Sequence, residues 1–591
     1  MRVMSFLAGG ARHLCLCVLP VLCAASIVSV APAQGQAPAG LNDIVREQRQ
    51  IIEREEQRRR RERGEFLGGS SEPSLREPDL LPETSGGDGP CLEVNRIVFD
   101  GAKRIPARRL ETLVEGRQGG CLTLADIQNV LRLATNYYID KGYVTSRAYL
   151  QPQDIGAGEL RVLIVEGAVS DVRLLENGKA RRGGWQLFGE RTGRIMNIRH
   201  FEQGLEQINR LGSKQATIRI EPGRGVGESI VTIEVEDSYA IEASASLDNG
   251  GSTSTGRHQW NGIVGFEDVL GLHERLTVSA RSSLDRLDDQ IYSRSINGYL
   301  SVPWHYFTLN LSGSYLEYYS RLDSASGDYS YDGLSWEGRV ELDRILHRTG
   351  RYTWRAGTAF TLKEATNYIE DIFIDASSQR LAVVEASTGI SGRIAGGFGQ
   401  ASVAVKRGLD AFAAQSDTNQ SGGTPVAQFT QATLSGFYQR VWKNRLGRLS
   451  VQATGYASWS PDTLFASERV NIGGPYSVRG FRDVSLSGDA GGYGQFELSL
   501  VPAFAAKTPE SLQRVIGTPQ VFAALDAGAV VEDADDPLEG GELMGGVVGL
   551  RLSGGILSGE VAYEKALVHP SFLKPADDGF LRFRIGISHR F

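Results

Sequence analysis

The chain of 591 residues carries a formal charge of −7, with 41% apolar and 23% charged residues and a mean hydropathy of −0.21. After about thirty residues no apolar run approaches the ~20 residues of a membrane-crossing helix, which excludes a helical membrane protein; the negative balance argues against nucleic acid as a main partner. A membrane β-barrel remains open, because half of each of its strands faces a polar lumen, and 71 glycines suit its tight turns and crowded strand contacts.

Residues 1–33 have the layout of an export signal. Arg2 and Arg12 supply positive charge, 14–30 is apolar, and Ala31-Pro32-Ala33 is a small-residue cleavage site before Gln34. Leu22 before Cys23 argues against a lipoprotein site. Residues 34–67 then hold a charged helical candidate over 41–66, LNDIVREQRQIIEREEQRRRRERGEF. Leu41, Ile44, Val45, Ile51 and Ile52 form an apolar patch, and Glu and Arg follow at i,i+3 and i,i+4 spacings; a basic disordered run is the alternative. Residues 68–90, rich in Gly, Ser, Pro and Glu, read as a flexible linker.

Cys15, Cys17 and Cys23 lie in the signal, leaving Cys91 and Cys121 in the mature chain. An even pair in an exported protein suggests a disulfide, which across this loop would contribute roughly 3–4 kcal/mol. Two buried free thiols are the alternative. No His or further Cys stands at metal-ligand spacing nearby, so no metal is expected.

Residues 91–168 predict a βααββ unit: a strand over 92–99, a helix over 106–115, a second helix, then strands over 146–151 and 160–166. The second helix opens with the capping box Thr123-Leu-Ala-Asp126, turns Ile127, Val130, Leu131, Ala134, Tyr137 and Tyr138 inward, and stops at Gly142. Residues 169–238 repeat the order, with a strand over 169–175, a helix over 199–211 presenting Phe201, Leu205, Ile208 and Leu211, and strands over 216–221 and 229–236.

From Tyr239 to the end, period-2 alternation takes over. Residues 307–315 and 449–459 alternate apolar with polar; Trp336, Gly338, Val340 and Leu342 alternate with Glu337, Arg339, Glu341 and Asp343. In the final strand Leu581, Phe583, Ile585, Ile587 and Phe591 share one face, His589 excepted, while Arg582, Arg584 and Arg590 share the other. Three arginines on one face favour a wet barrel wall over a soluble sandwich. The reading is about sixteen strands, a count adjusted to the even number of bacterial single-chain barrels.

These stretches together resemble the outer-membrane transporters of two-partner secretion, the ShlB/FhaC/HecB class. The first βααββ unit is similar to the family's first POTRA domain in Cys91, Gly101, Gly120-Cys121-Leu122, Tyr138, the run 142–148, Gly158-Glu159-Leu160 and Glu166-Gly167. The second is similar in the helix 202–211, Pro222-Gly223 and 227–229; the barrel opening is similar in Asp248-Asn249-Gly250 and Thr255-Gly256. The most specific motif is Val478-Arg479-Gly480-Phe481 after Gly473-Gly474. In the wider superfamily this tetrad sits at the tip of an extracellular loop folded into the lumen, and its Arg meets an Asp of an F-x-D-x-G motif on the inner wall. Here that motif is 524–528, with Asp526 and Gly528 in place and Ala524 where Phe is usual.

The resemblance implies a mainly β chain: a sixteen-stranded antiparallel transmembrane β-barrel over 239–591, preceded by two periplasmic POTRA domains and an N-terminal plug helix joined by the linker. It implies export of a partner exoprotein with an N-terminal secretion domain, an adhesin, haemolysin or toxin, across the bacterial outer membrane. The POTRA domains would capture the unfolded partner by strand addition. The membrane's lipid would surround the barrel, and Phe591 would end the signal read by the barrel-assembly machinery. No cofactor is implied, and no phosphate-binding loop, G-x-S-x-G or H-E-x-x-H motif points to an enzyme. The alternative is a barrel-assembly insertase of the same superfamily, which usually has three or more POTRA units and lacks the plug helix; a general porin would lack the βααββ units.

Overall fold

A computed structural model describes residues 90–591 apart from 181–184, 190, 285–290, 325–326, 418–423, 532–539 and 576–578. The expected export signal and charged helix, and the linker as far as residue 89, lie outside the described residues.

In the first βααββ unit, apolar spacing wraps two helices onto a small sheet. Its elements are β1 (Cys91–Val94), β2 (Arg96–Asp100), α1 (Ala107–Val114), β3 (Gly120–Thr123), α2 (Leu124–Asp140), β4 (Arg147–Leu150) and β5 (Glu159–Val165). The sheet runs β2-β5-β4, with β2 parallel and β4 antiparallel to β5. The expected single strand over 92–99 is broken at Asn95, because β1 leaves to pair with β3 as a separate ribbon while β2 follows β5. Cys91 and Cys121, 5.3 Å apart at Cα, are disulfide-bonded across that ribbon.

The capping box at α2 is formed: Asp126 N–H donates to Thr123 Oγ1 at 3.3 Å, and Thr123 N–H donates to the Asp126 carboxylate at 3.0 Å. Gly142 ends the helix at φ +89°, a conformation that favours glycine. Leu110 and Val114 of α1 and Ile127, Val130, Ala134 and Tyr138 of α2 are buried on the sheet, each large apolar side chain contributing roughly 1.5–3 kcal/mol. Leu131 and Tyr137 are only partly buried beside them. Glu166 ties the layers together by accepting from Tyr138 Oη at 2.8 Å and from the N–H groups of Lys103 and Arg104.

The second unit comprises β6 (Ala168–Glu176), β7 (Lys179–Ala180), a single helical turn Trp185–Phe188, α3 (Ile198–Asn209), β8 (Lys214–Pro222) and β9 (Glu228–Asp237). Its sheet order is β7-β6-β9-β8, with β6 parallel to β9. Phe201, Leu205 and Ile208 of α3 are buried against the sheet. Gly204 admits the ring of Phe188, since a Cβ there would lie 2.1 Å from it.

The remainder is a closed barrel of sixteen antiparallel strands, with a two-residue strand Ile372–Phe373 at one hairpin. Ile241–Asp248 pairs with the final strand Phe580–Arg590, so no edge is left open. Leu581, Phe583, Ile585 and Ile587 are exposed on the outer face, while Arg582 points inward into ion pairs with Glu560 and Glu564. Val340 and Leu342 are outside in the same way, and Arg339 is paired inside with Glu341 and Glu385. Three consecutive strands, Phe307–Ser324, Gly327–Arg348 and Tyr352–Ile369, run 18, 22 and 18 residues, past the roughly 9–11 that cross a membrane. Their far ends have an apolar cluster of their own, Leu316, Tyr318, Tyr331 and Ile369.

Polar contacts seat the second unit on the near rim of the barrel. Arg348 pairs with Glu206 at 2.5 Å and donates to Gln203 Oε1 at 2.7 Å. Arg210 donates to Ser301 Oγ and to the His273 carbonyl, both at 2.9 Å. Glu267 accepts from the N–H groups of Gly212 and Ser213 at 3.1 and 2.7 Å. His200 of α3 meets the hydroxyl of Tyr306 in a barrel turn. Burial, then the neighbouring Arg191 and His305, lower His200 to about 4, so it is neutral at pH 7.

Candidate functional site: a loop held inside a charged lumen

Between the strands Gly447–Trp459 and Gly491–Pro502 the chain leaves the far rim, and its hairpin Val470–Ile472/Leu486–Gly488 packs against side chains of the wall. Glycines allow its turns: Gly473, Gly474 and Gly480 have φ of +113°, +99° and +96°. A Cβ on Gly480 would lie 2.5 Å from the Lys565 carbonyl, so the tip approaches the wall as only glycine permits.

Arg479 and Asp526 meet at this tip. Arg479 donates from Nε to Asp526 Oδ2 at 2.6 Å and from Nη2 to Oδ1 at 2.9 Å, a two-pronged pairing that fits the guanidinium fork. The Arg479 backbone N–H adds a third bond to Oδ2 at 3.1 Å. Asp526 is fully buried. Val478 and Phe481, on either side, are buried among Val470, Ile472, Leu486, Val530 and Leu543. Gly528 lies under Val478, where a Cβ would come 3.1 Å from the valine methyl.

The residues 478–481, Asp526 and Gly528 are thus gathered at one place. Cys91 and Cys121 lie apart in the first unit, and Phe591 lies at the near rim, its N–H donating to the Ile241 carbonyl at 2.8 Å. Phe522, one inward position before Ala524 on the same strand, is buried with Val547 and Ala562 and lies under the Arg551 guanidinium at 4.3 Å. Phe522 therefore belongs to a cluster separate from the one that buries Val478 and Phe481.

Sequence reasoning missed several members of the site. Glu497 pairs with Arg479 at 3.2 Å and with Arg551 at 3.0 Å; Glu560 continues the chain of charges to Arg551 and Arg582. Glu564 pairs with Arg582 at 2.5 Å and accepts from Gly480 N–H at 3.3 Å. Gly545 is the tightest point: a Cβ there would lie 1.6 Å from the Arg479 carbonyl. The inward parity of these positions was available in the alternation, but not their partners on other strands.

A closed barrel with a loop pinned across its charged lumen, preceded by two βααββ units of which the second sits on one rim, defines an outer-membrane barrel of the POTRA-plus-barrel class. Residues 227–552 match the family described as haemolysin secretion/activation protein ShlB/FhaC/HecB. Residues 92–167 match the ShlB-type POTRA domain, and 168–222 match a further POTRA domain. The outer membrane transporter CdiB of Escherichia coli is 33% identical over 559 residues, covering 94% of this chain and 91% of that protein. The hemolysin transporter protein ShlB of Serratia marcescens is 26% identical over 541 residues, covering 91% of this chain and 89% of its own. The solved structure of CdiB from Escherichia coli superposes with a TM-score of 0.79 at 31% identity, covering 94% of this chain and all of that one. This chain belongs to the ShlB/FhaC/HecB family of outer-membrane transporters, with its POTRA domains on the periplasmic side.

Proposed function

We propose that the chain exports one dedicated partner, an exoprotein with an N-terminal secretion domain such as an adhesin, haemolysin or toxin, and that it does so without catalysis. The carrying observation is a closed sixteen-stranded wall bridged on the inside by a charged contact, Arg479 to Asp526, and preceded by two POTRA units, the second seated on one rim. Residues 1–33 direct export, 34–67 plug the resting pore, and 68–90 tether the plug to the POTRA domains over 91–168 and 169–238. The unfolded partner adds to an exposed POTRA strand edge, pairing through its backbone. The plug leaves, the loop yields, the chain threads the lumen of 239–591, and folding outside prevents its return. Lipid surrounds the outer apolar face, and the barrel-assembly machinery inserts the chain by reading the end strand with Phe591.

The test is export of a filamentous partner, the product of a neighbouring gene if there is one, in cells with and without this protein. Loss of the partner from the surface and medium, with build-up or degradation in the periplasm, supports the reading. Continued export while other outer-membrane barrels fail to assemble would replace it with an insertase.

A further inference from the structure

We propose that Glu468 is a second anchor of the lumen loop, of opposite polarity to Arg479, and that the loop is a strap fixed at its base as well as at its tip. Glu468 precedes the loop hairpin, eleven positions before Arg479. Its side chain is 3% exposed and faces two lysines from different strands of the wall. Lys363 of Tyr352–Ile369 pairs with one carboxylate oxygen, and Lys406 of Gly397–Leu409 lies 2.9 Å from the other. The Glu468 carbonyl accepts from Gln431 Nε2 at 2.7 Å, and Lys363 Nζ donates to the Ser467 carbonyl at 3.4 Å. Leu464 and Phe465, just before, pack on Leu381, Val383, Ala427 and Phe429.

The two anchors grip different parts of the ring. Glu468 is held by the seventh, ninth and tenth strands; the Arg479 tip is held by the twelfth, thirteenth and fifteenth. The strand Val470–Ile472 lies between them and is paired with Leu486–Gly488, Val470 opposite Gly488 and Ile472 opposite Leu486. Releasing Arg479 alone would therefore leave the base tied to the other part of the wall. A carboxylate between two ammonium groups is the right device for such an anchor. Its charge is balanced without the geometric demands of a guanidinium fork, and the lysines regain water when it leaves. Glu468 is in these terms a positioning residue for the gate, beyond the contact at the tip.

Hydrogen exchange of the full-length protein in detergent micelles, followed peptide by peptide, tests this without any exported partner. Glu468→Gln keeps the shape and removes the charge. Exchange over residues 462–472 is expected to rise about tenfold, equivalent to about 1.4 kcal/mol, with the barrel still assembled by heat-modified mobility on gels. The swap of Glu468→Lys with Lys363→Glu and Lys406→Glu is expected to restore slow exchange. Unchanged exchange in an assembled Glu468→Gln barrel overturns the proposal, as does a rise that the swap leaves uncorrected. Should Glu468→Gln fail to assemble, Lys406→Gln, which keeps the Lys363 pair, carries the same test with a smaller rise. A failure here would leave the export experiment untouched.

Discussion

Arg479→Ala is the most direct perturbation of the gate. It removes two side-chain bonds to Asp526 and one to Glu497, leaving the buried carboxylate with the Arg479 backbone N–H. Breaking a buried pair from one side costs about 3–5 kcal/mol when the remaining charge is uncompensated. Here the surviving backbone bond and lumen water favour the lower end, about 3 kcal/mol, or roughly a hundredfold shift toward the undocked loop. Arg479→Lys keeps the charge but not the fork, so it should fall between. The readouts are export of the partner at matched levels of assembled barrel and hydrogen exchange over residues 474–484. In a cycle with Asp526→Asn, the coupling in loop protection should reach about 2 kcal/mol, within the range for contacting residues. Normal export and unchanged exchange in the alanine variant, at normal protein levels, would refute the reasoning.

Gly545→Ala should dislodge the tip nearly as well as Arg479→Ala, because its new Cβ would stand 1.6 Å from the Arg479 carbonyl; unchanged protease resistance of the loop would contradict this. Cys91→Ser with Cys121→Ser should lower the thermal stability of the first POTRA unit by roughly 3 kcal/mol, measured as a lower melting temperature of the POTRA transition, and dithiothreitol should do the same to the native chain alone. The junction of α3 with the barrel should weaken in acid. His200 is held near 4, below its ordinary 6.5, so its contribution is present in full above about 6.5 and is lost as pH falls toward 4. Each unit across that window is worth at most about 1.4 kcal/mol, and His200→Gln should flatten the pH dependence of proteolysis at the POTRA–barrel boundary.

The longer helices of both front units were legible because their apolar spacing and caps are local, though the turn Trp185–Phe188 was not: Thr123 and Asp126 announce α2, and Phe201, Leu205 and Ile208 mark one face of α3. Alternation likewise exposed the wall, since the side of each strand is set by its own residues. The break at Asn95 was not legible, because it arises when β1 and β2 choose different partners far along the chain. The same holds for the charges around the loop. Glu497, Glu564, Lys363 and Lys406 resemble every other inward charge until the ring closes and brings them to Arg479 and Glu468. Arg479 and Asp526 stood out only because a family resemblance supplied the pairing that spacing alone does not.

Why a gate of this kind should be held by charges follows from where it sits. An apolar plug buried as deeply as a domain core would gain stability from every square ångström and release only by exposing that area to water. In this lumen the loop's departure exposes some apolar area but also exchanges ion pairs for hydration, and the wall is already lined with alternating charges: Glu497, Arg551, Glu560 and Arg582 form a continuous row beside Asp526. Arg551 can still share Glu497 after Arg479 has left, so the undocked state keeps part of its electrostatic balance. The loop also buries apolar side chains, Val478 and Phe481 at the tip and Val470, Ile472 and Leu486 in the hairpin, against Val530 and Leu543, and these fix the position of the fork. Geometry, through a two-pronged pairing and glycines that admit the backbone, supplies specificity; on the proposed export reading, a charged wall gives the separated ion-pair partners other charges and water to turn to when the loop moves.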